Sequence, residues 1–355
     1  MSSLFLSFVF IVCLYLLTIS IKSKGLKRMT PVQLYEFLKT SIHANLNVLI
    51  TSPPGCGKTA IVNQVCAEEQ ADLVPMFPAI SDPTDFKGFP FIVSGNAVFL
   101  PFGDLKLLKE AKKRTICFLD DLGQASISVQ AACMQLLHAK YNVSKHVSFF
   151  AATNRREDKA GVAGLLEPVK SRFSTIVSLE PNANDLANWG FKNNMHHDVL
   201  SFILYRPALV LDFKPVFEMK NSPCPRTIFN LSECHKLSLP EDQAFEVYKG
   251  AVGEGFATEF LGFLELKSQL PNMNTVLTDP SNAKIPTDPG ILYVFIGQLA
   301  YRASQTNMTN IIKLANRIDP EFGMVLMTII GQRSKKLLEH PEAVAYLSKI
   351  NNAYA

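Results

Sequence analysis

The chain has 355 residues, 48% hydrophobic and 19% charged, which suits about two packed domains and is too apolar for a disordered chain. Its seven cysteines are odd in number and never spaced Cys-x-x-Cys, arguing against a disulfide framework or a cysteine zinc site and for a reducing compartment. The net charge of +4 comes from Lys22, Lys24, Lys27 and Arg28; the remaining 31 basic and 31 acidic residues balance, so nucleic acid is not an expected partner.

Residues 1–28 form a hydrophobic leader whose uncharged stretch from Leu4 to Ile21 has about the 18 residues needed to span a bilayer. Its basic flank would keep the body in the cytoplasm. Two readings stand: a membrane anchor, or a spurious upstream start ahead of Met29. From 29 to 181, short apolar runs alternate with amphipathic stretches, which predicts an α/β unit with a parallel five-stranded sheet and helices on both faces. The expected strands are Asn47–Thr51, Leu73–Phe77, Thr115–Leu119, Val147–Thr153 and Ser174–Leu179. Between the second and third, Ser94-Gly95-Asn96 separates two apolar runs and predicts a β-hairpin. From 182 to 355 the pattern becomes all-helical, with helices expected over Asp185–Leu204, Pro225–Leu237, Glu241–Leu266, Ile291–Ser304, Thr309–Arg317 and Glu321–Arg333.

The first strand runs into Ser52-Pro53-Pro54-Gly55-Cys56-Gly57-Lys58-Thr59-Ala60 and then a helix. This is nearly a P-loop, in which backbone N–H groups are expected to turn inward around phosphate, Lys58 to reach the β- and γ-phosphates, and the Thr59 hydroxyl to ligate Mg2+. It departs from G-x-x-x-x-G-K-T in carrying Ser52 at the first position. The third strand ends in Asp120-Asp121, suited to holding Mg2+ and polarising a water respectively. Asn154 closes the fourth strand and is placed to orient the same water. Arg172 lies on a turn before the last strand and suits an arginine finger.

In that order these elements resemble the AAA+ ATPases, specifically the MoxR-type, dynein-related branch, over nearly all of 29–355. The resemblance is carried by SPPGCGKTA, SDPTDFKGFP, FLDDLGQAS, AATNRREDKAG, LLEPVKSRF and SPCPRTIFN. It implies a P-loop NTPase binding ATP through Pro54, Gly55, Cys56, Gly57, Lys58, Thr59 and Ala60. Thr59 and Asp120 are implied Mg2+ residues, and Asp121, Asn154, Arg172 and Arg226 catalytic ones, with Arg226 in a helical lid. It further implies a homo-oligomeric ring, usually a hexamer, that remodels a protein client, often beside a von Willebrand factor A domain partner. Asp121 stands where the family usually has Glu, which favours slow hydrolysis and keeps open a nucleotide-gated scaffold that scarcely turns over.

Other features read more plainly. His196-His197 is expected at the surface of a helix, with no metal beyond Mg2+ supported. Gly250–Gly255 is expected to be a helix junction, and Phe256, Phe260 and Phe263 recur at core spacing. No H-E-x-x-H occurs, which speaks against a zinc protease.

Overall fold

A computed structural model describes residues 28–138, 143–155, 164–213 and 219–354. The apolar stretch from Leu4 to Ile21 lies outside them. Among the described residues no helix is long and apolar enough to cross a membrane.

Thr30 starts α1 (Pro31–His43) with a reciprocal cap: its hydroxyl accepts from the Gln33 amide, and the Gln33 side chain accepts from the Thr30 amide. There follow β1 (Val48–Ser52), α2 (Lys58–Glu68), β2 (Asp72–Met76), α3 (Pro83–Lys87), β3 (Phe89–Val93) and β4 (Asn96–Leu100). Then come α4 (Gly103–Glu110), β5 (Thr115–Leu119), α5 (Ile127–Leu137), β6 (Val147–Asn154), α6 (Glu167–Lys170) and β7 (Thr175–Ser178). Five strands form one parallel sheet in the order β2-β5-β6-β1-β7, each within two residues of its expected span. Its faces follow the two-residue period of a strand. Val48 and Ile50 point to α1 and α2, meeting Leu34, Leu38 and Val62. Leu49 points the other way, into a core with Phe86, Leu105 and Val129 from α3, α4 and α5. Helices thus cover both faces, as the sequence pattern predicts.

The β3–β4 hairpin turns through Ser94 and Gly95, both at positive φ, the backbone of a two-residue hairpin turn. Asn96 belongs to the second strand rather than the expected three-residue turn. Every residue of the two strands is exposed.

Beyond the sheet the described chain is helical: α7 (Ala183–Lys192), α8 (His197–Tyr205), α9 (Pro225–Lys236), α10 (Glu241–Val252) and α11 (Glu254–Ser268). It continues with α12 (Met273–Thr278), α13 (Pro289–Arg302), α14 (Met308–Ala315), α15 (Pro320–Arg333), α16 (Lys335–Leu338) and α17 (Pro341–Tyr354). Two apolar clusters divide this region and share α13, which gives Val294 to the first and Phe295, Ile296 and Leu299 to the second. Phe256, Phe260 and Phe263 fill the first cluster, as their spacing suggests.

Two helices expected to be continuous are broken. The span from Asp185 to Leu204 divides between α7 and α8 because Asn194 adopts φ 57°, a left-handed conformation that ends a helix and that Asn tolerates. The span from Glu241 to Leu266 divides at Gly253, within the stretch read as a helix junction. Gly253 has φ 85°, and a Cβ there would lie 2.8 Å from the Asn221 carbonyl oxygen, so only glycine fits.

Candidate functional site

The carboxyl ends of β1, β5 and β6 meet at one edge of the sheet. β1 is flanked by β6 and β7, both much later in the chain, so the connections leaving it part there and open the crevice in which parallel α/β sheets bind ligands. Ser52 pairs in register with Asn154, which sets the start of the loop beside the end of β6.

The loop from Pro53 to Gly57 turns through Gly55 and Gly57, at φ 73° and 90°, and delivers Lys58 and Thr59 as the first two residues of α2. The Lys58 ammonium donates to Asn154 Oδ1 at 2.8 Å, Ser52 Oγ at 3.1 Å, and the Pro53 and Ser52 carbonyls at 3.3 and 3.4 Å. Asn154 Nδ2 donates in turn to Asp121 Oδ1 at 3.3 Å. Thr59 Oγ1 donates to Asp120 Oδ2 at 2.7 Å. Residues distant in sequence thus form one connected network. Ser52 does not take a positive φ, so the absence of glycine at this position costs no strain, and its hydroxyl adds an acceptor for Lys58.

Electrostatics follow burial. The Lys58 ammonium is held below its ordinary range by desolvation, which the Asp121 and Asp120 carboxylates partly oppose. Desolvation and then the Asp120 charge push the Asp121 carboxyl above its ordinary value. Burial lifts the Cys56 thiol to about 12, so this residue adds no negative charge to the loop at neutral pH. Asp121 sits at φ 53°, where Asp is accommodated more readily than longer side chains.

The helical region closes the crevice. The backbone N–H of Arg226, in the first turn of α9, donates to the Gly55 carbonyl at 3.1 Å. A Cβ at Gly55 would come within 2.5 Å of Cys224 Sγ, so this close approach requires glycine. The resulting cleft measures about 520 Å3 and is lined by Pro54–Ala60, Asp120, Asp121, Asn154 and Arg226. Its other end is walled by Pro31, Pro181, Leu186, Trp189 and Phe229, an apolar slot of the kind that takes a nucleotide base. The ring of Trp189 meets that of Phe229 edge-on at 5.5 Å. Arg172, by contrast, does not line this cleft. It follows α6, and its Nε is buried without a partner among the described residues.

Residues 48–180 match the family described as ATPase family associated with various cellular activities (AAA). These residues form an AAA-family ATPase domain. No curated protein is matched by the whole sequence. Among solved structures, a mutant RuvB of Thermotoga maritima is similar with a TM-score of 0.39 at 13% identity, over 69% of this chain and 73% of that one. The T. maritima RuvB Holliday junction branch migration motor gives 0.38 at 14%, over 71% and 75%. Likeness of this degree leaves the reading of the site to its own residues.

In the AAA domain, the Thr59 hydroxyl and Asp120 carboxylate offer the hard oxygen donors that Mg2+ takes, and Gly57, where a Cβ would meet nothing within 4 Å, leaves open space beside the loop for phosphate. The residues present therefore fit ATP and Mg2+. Sequence reading missed the apolar wall of the cleft, because Leu186, Trp189 and Phe229 lie at spacings that equally describe core. It also expected His196 and His197 to be surface residues. Both are partly buried, and His196 stands beside Asp198 and His235; a neighbour 39 positions away leaves no local signal.

Proposed function

We propose that the protein is a Mg2+-dependent ATPase that assembles into a homo-oligomeric ring, a hexamer, and couples hydrolysis to remodelling a protein client. The contact chain Lys58–Asn154–Asp121 supports the ATPase part of this reading, because it joins the phosphate-loop lysine to the residues suited to positioning water; the ring and its client rest on the family resemblance. Lys58 would meet the β- and γ-phosphates, Asn154 would orient the attacking water, and Asp121 would accept its hydrogen bond. Thr59 and Asp120 would hold Mg2+, which when bound would supply charge neutralisation for the phosphates. Arg226 would report the nucleotide to the helical lid. Arg172, which does not line this chain's own cleft, would be the finger reaching the γ-phosphate of the adjacent subunit. Residues 29–181 would be the nucleotide-binding unit and 182–355 the lid and its helical extension. The resemblance to the MoxR-type branch extends the proposal to a partner with a von Willebrand factor A domain.

A second reading, a nucleotide-gated scaffold with little turnover, is favoured by the short Asp121 side chain. Turnover measured against protein concentration with Mg2+, beside an Arg172→Ala variant, separates the two. Turnover per subunit that rises with concentration and falls about 1000-fold in the variant supports a ring with a trans finger. Tight ATP binding without turnover at any concentration supports the scaffold.

A further inference from the structure

Asp198 lies in the first turn of α8 with its side chain only 3% exposed. His235 Nε2, from the last turn of α9, stands 3.2 Å from Asp198 Oδ2. His196 Nδ1 stands 3.6 Å from the same oxygen. The three donor atoms all lie within 4.8 Å of one another. Two ligands on one tetrahedral ion, with bonds of about 2.1 Å, stand roughly 3.4 Å apart, so the spacing around Oδ2 is that of donors that can share a metal. His197 Nε2 approaches the other carboxylate oxygen at 3.2 Å. Behind His235, the Tyr248 hydroxyl lies 2.7 Å from Nδ1, the kind of outer contact that fixes a metal-binding imidazole and leaves its other nitrogen facing the ion.

We infer that His196, Asp198 and His235 form a binding site for a divalent transition-metal ion of the zinc class, in the helical region and separate from the nucleotide cleft. The mixed imidazole and carboxylate set suits Zn2+ or Co2+ and not Mg2+, which takes oxygen. Two present contacts give way on binding. The Asp198 amide donates to His196 Nδ1 at 3.2 Å, and Lys267 Nζ donates to Asp198 Oδ2 at 2.7 Å. The Lys267 side chain is one-third exposed, so its ammonium can move into water while its stem stays in place. Metal ion and lysine are therefore alternative counter-charges for one buried carboxylate. With the metal bound, the start of α8 is tied to the end of α9, the helix that brings Arg226 to the phosphate-binding loop.

The test titrates the full chain, in buffer containing Mg2+, with Co2+ alone and then with Zn2+ as competitor. One equivalent of Co2+ should bind with the visible bands of a four- or five-coordinate nitrogen and oxygen site, without the near-ultraviolet charge transfer of cobalt–thiolate bonds, and Zn2+ should displace it. His196→Gln and His235→Gln should each weaken binding at least ~10-fold. Lys267→Met should tighten it by about 10-fold, because the competing cation is gone; a misfolded variant could not give that result. Absence of saturable Co2+ binding, a thiolate signature, or an unchanged affinity in Lys267→Met would each overturn the inference.

Discussion

Among the described residues, the charged clusters around Lys58 and around Asp198 are balanced in opposite ways. In the cleft, Lys58 is surrounded by neutral acceptors, namely two carbonyls, a hydroxyl and an amide. Its charge is solvated by dipoles, with Asp120 and Asp121 close by. In the helical region, Asp198 touches an ammonium directly and faces imidazoles on both oxygens. A cation held by dipoles can turn to an anionic ligand without abandoning a counter-ion, whereas a carboxylate already paired must exchange one partner for another. The first arrangement suits rapid, repeated binding of phosphate. The second suits a lasting brace.

Removing the two lysines should break the comparison most visibly. Lys58→Met takes away the charge meant for the phosphates and should lower ATP turnover about 1000-fold or more. Lys267→Met should leave turnover within about 2-fold, since Lys267 contacts Asp198 and does not line the cleft. Equal losses in both variants would mean that the helical cluster is coupled to hydrolysis.

The two aspartates should differ in stability next. Asp198→Asn leaves Lys267 without its partner and should cost about 2–3 kcal/mol, measured by denaturant unfolding in the presence of a chelator. Asp121→Asn should be neutral or stabilising while abolishing turnover, because it removes a desolvated charge and its repulsion from Asp120, and places Asn in a left-handed conformation it adopts readily. Their pH dependences carry opposite signs. Burial alone would raise the Asp198 carboxyl, but His235, His197 and Lys267 hold it well below the usual range. Its contribution is complete above the unfolded value of about 3.9 and is lost as pH falls. The raised Asp121 carboxyl penalises the native state at neutral pH, and that penalty is relieved as pH falls through its folded value. Unfolding curves that move together with pH in both variants would contradict this assignment.

The same contrast governs what could be read from the sequence. The cleft is built from contiguous segments, each at the end of a strand, so Lys58, Thr59, Asp120, Asp121 and Asn154 were legible from local order once the strands were placed. The sheet was legible for a related reason: its strands are short apolar runs bounded by polar turns. The Asp198 cluster draws on the start of α8, the end of α9 and the last turn of α11, and no local period connects those positions. Its meeting depends on Asn194 breaking the helix that apolar spacing alone would have continued. The apolar wall of Leu186, Trp189 and Phe229 was hidden differently. A residue that lines a slot and one that fills a core obey the same helical spacing, and Leu186 does both, lining the cleft while belonging to the helical core.

The smallest effect is expected at Ser52. Its hydroxyl is one of four acceptors around the Lys58 ammonium, and an individual hydrogen bond to a charged group contributes about 1.5–3 kcal/mol when nothing replaces it. Here Asn154 Oδ1 is closer, at 2.8 Å, and two carbonyls remain, so the ammonium can redistribute its donors. Ser52→Ala should therefore reduce turnover by less than about 5-fold and leave nucleotide affinity nearly unchanged. If turnover instead falls as far as in Lys58→Met, the hydroxyl aims the lysine rather than merely solvating it. The cleft would then depend on a single partner, as the helical cluster does, and the distinction between dipole solvation and pairing would fail at the residue where the loop departs from its usual pattern.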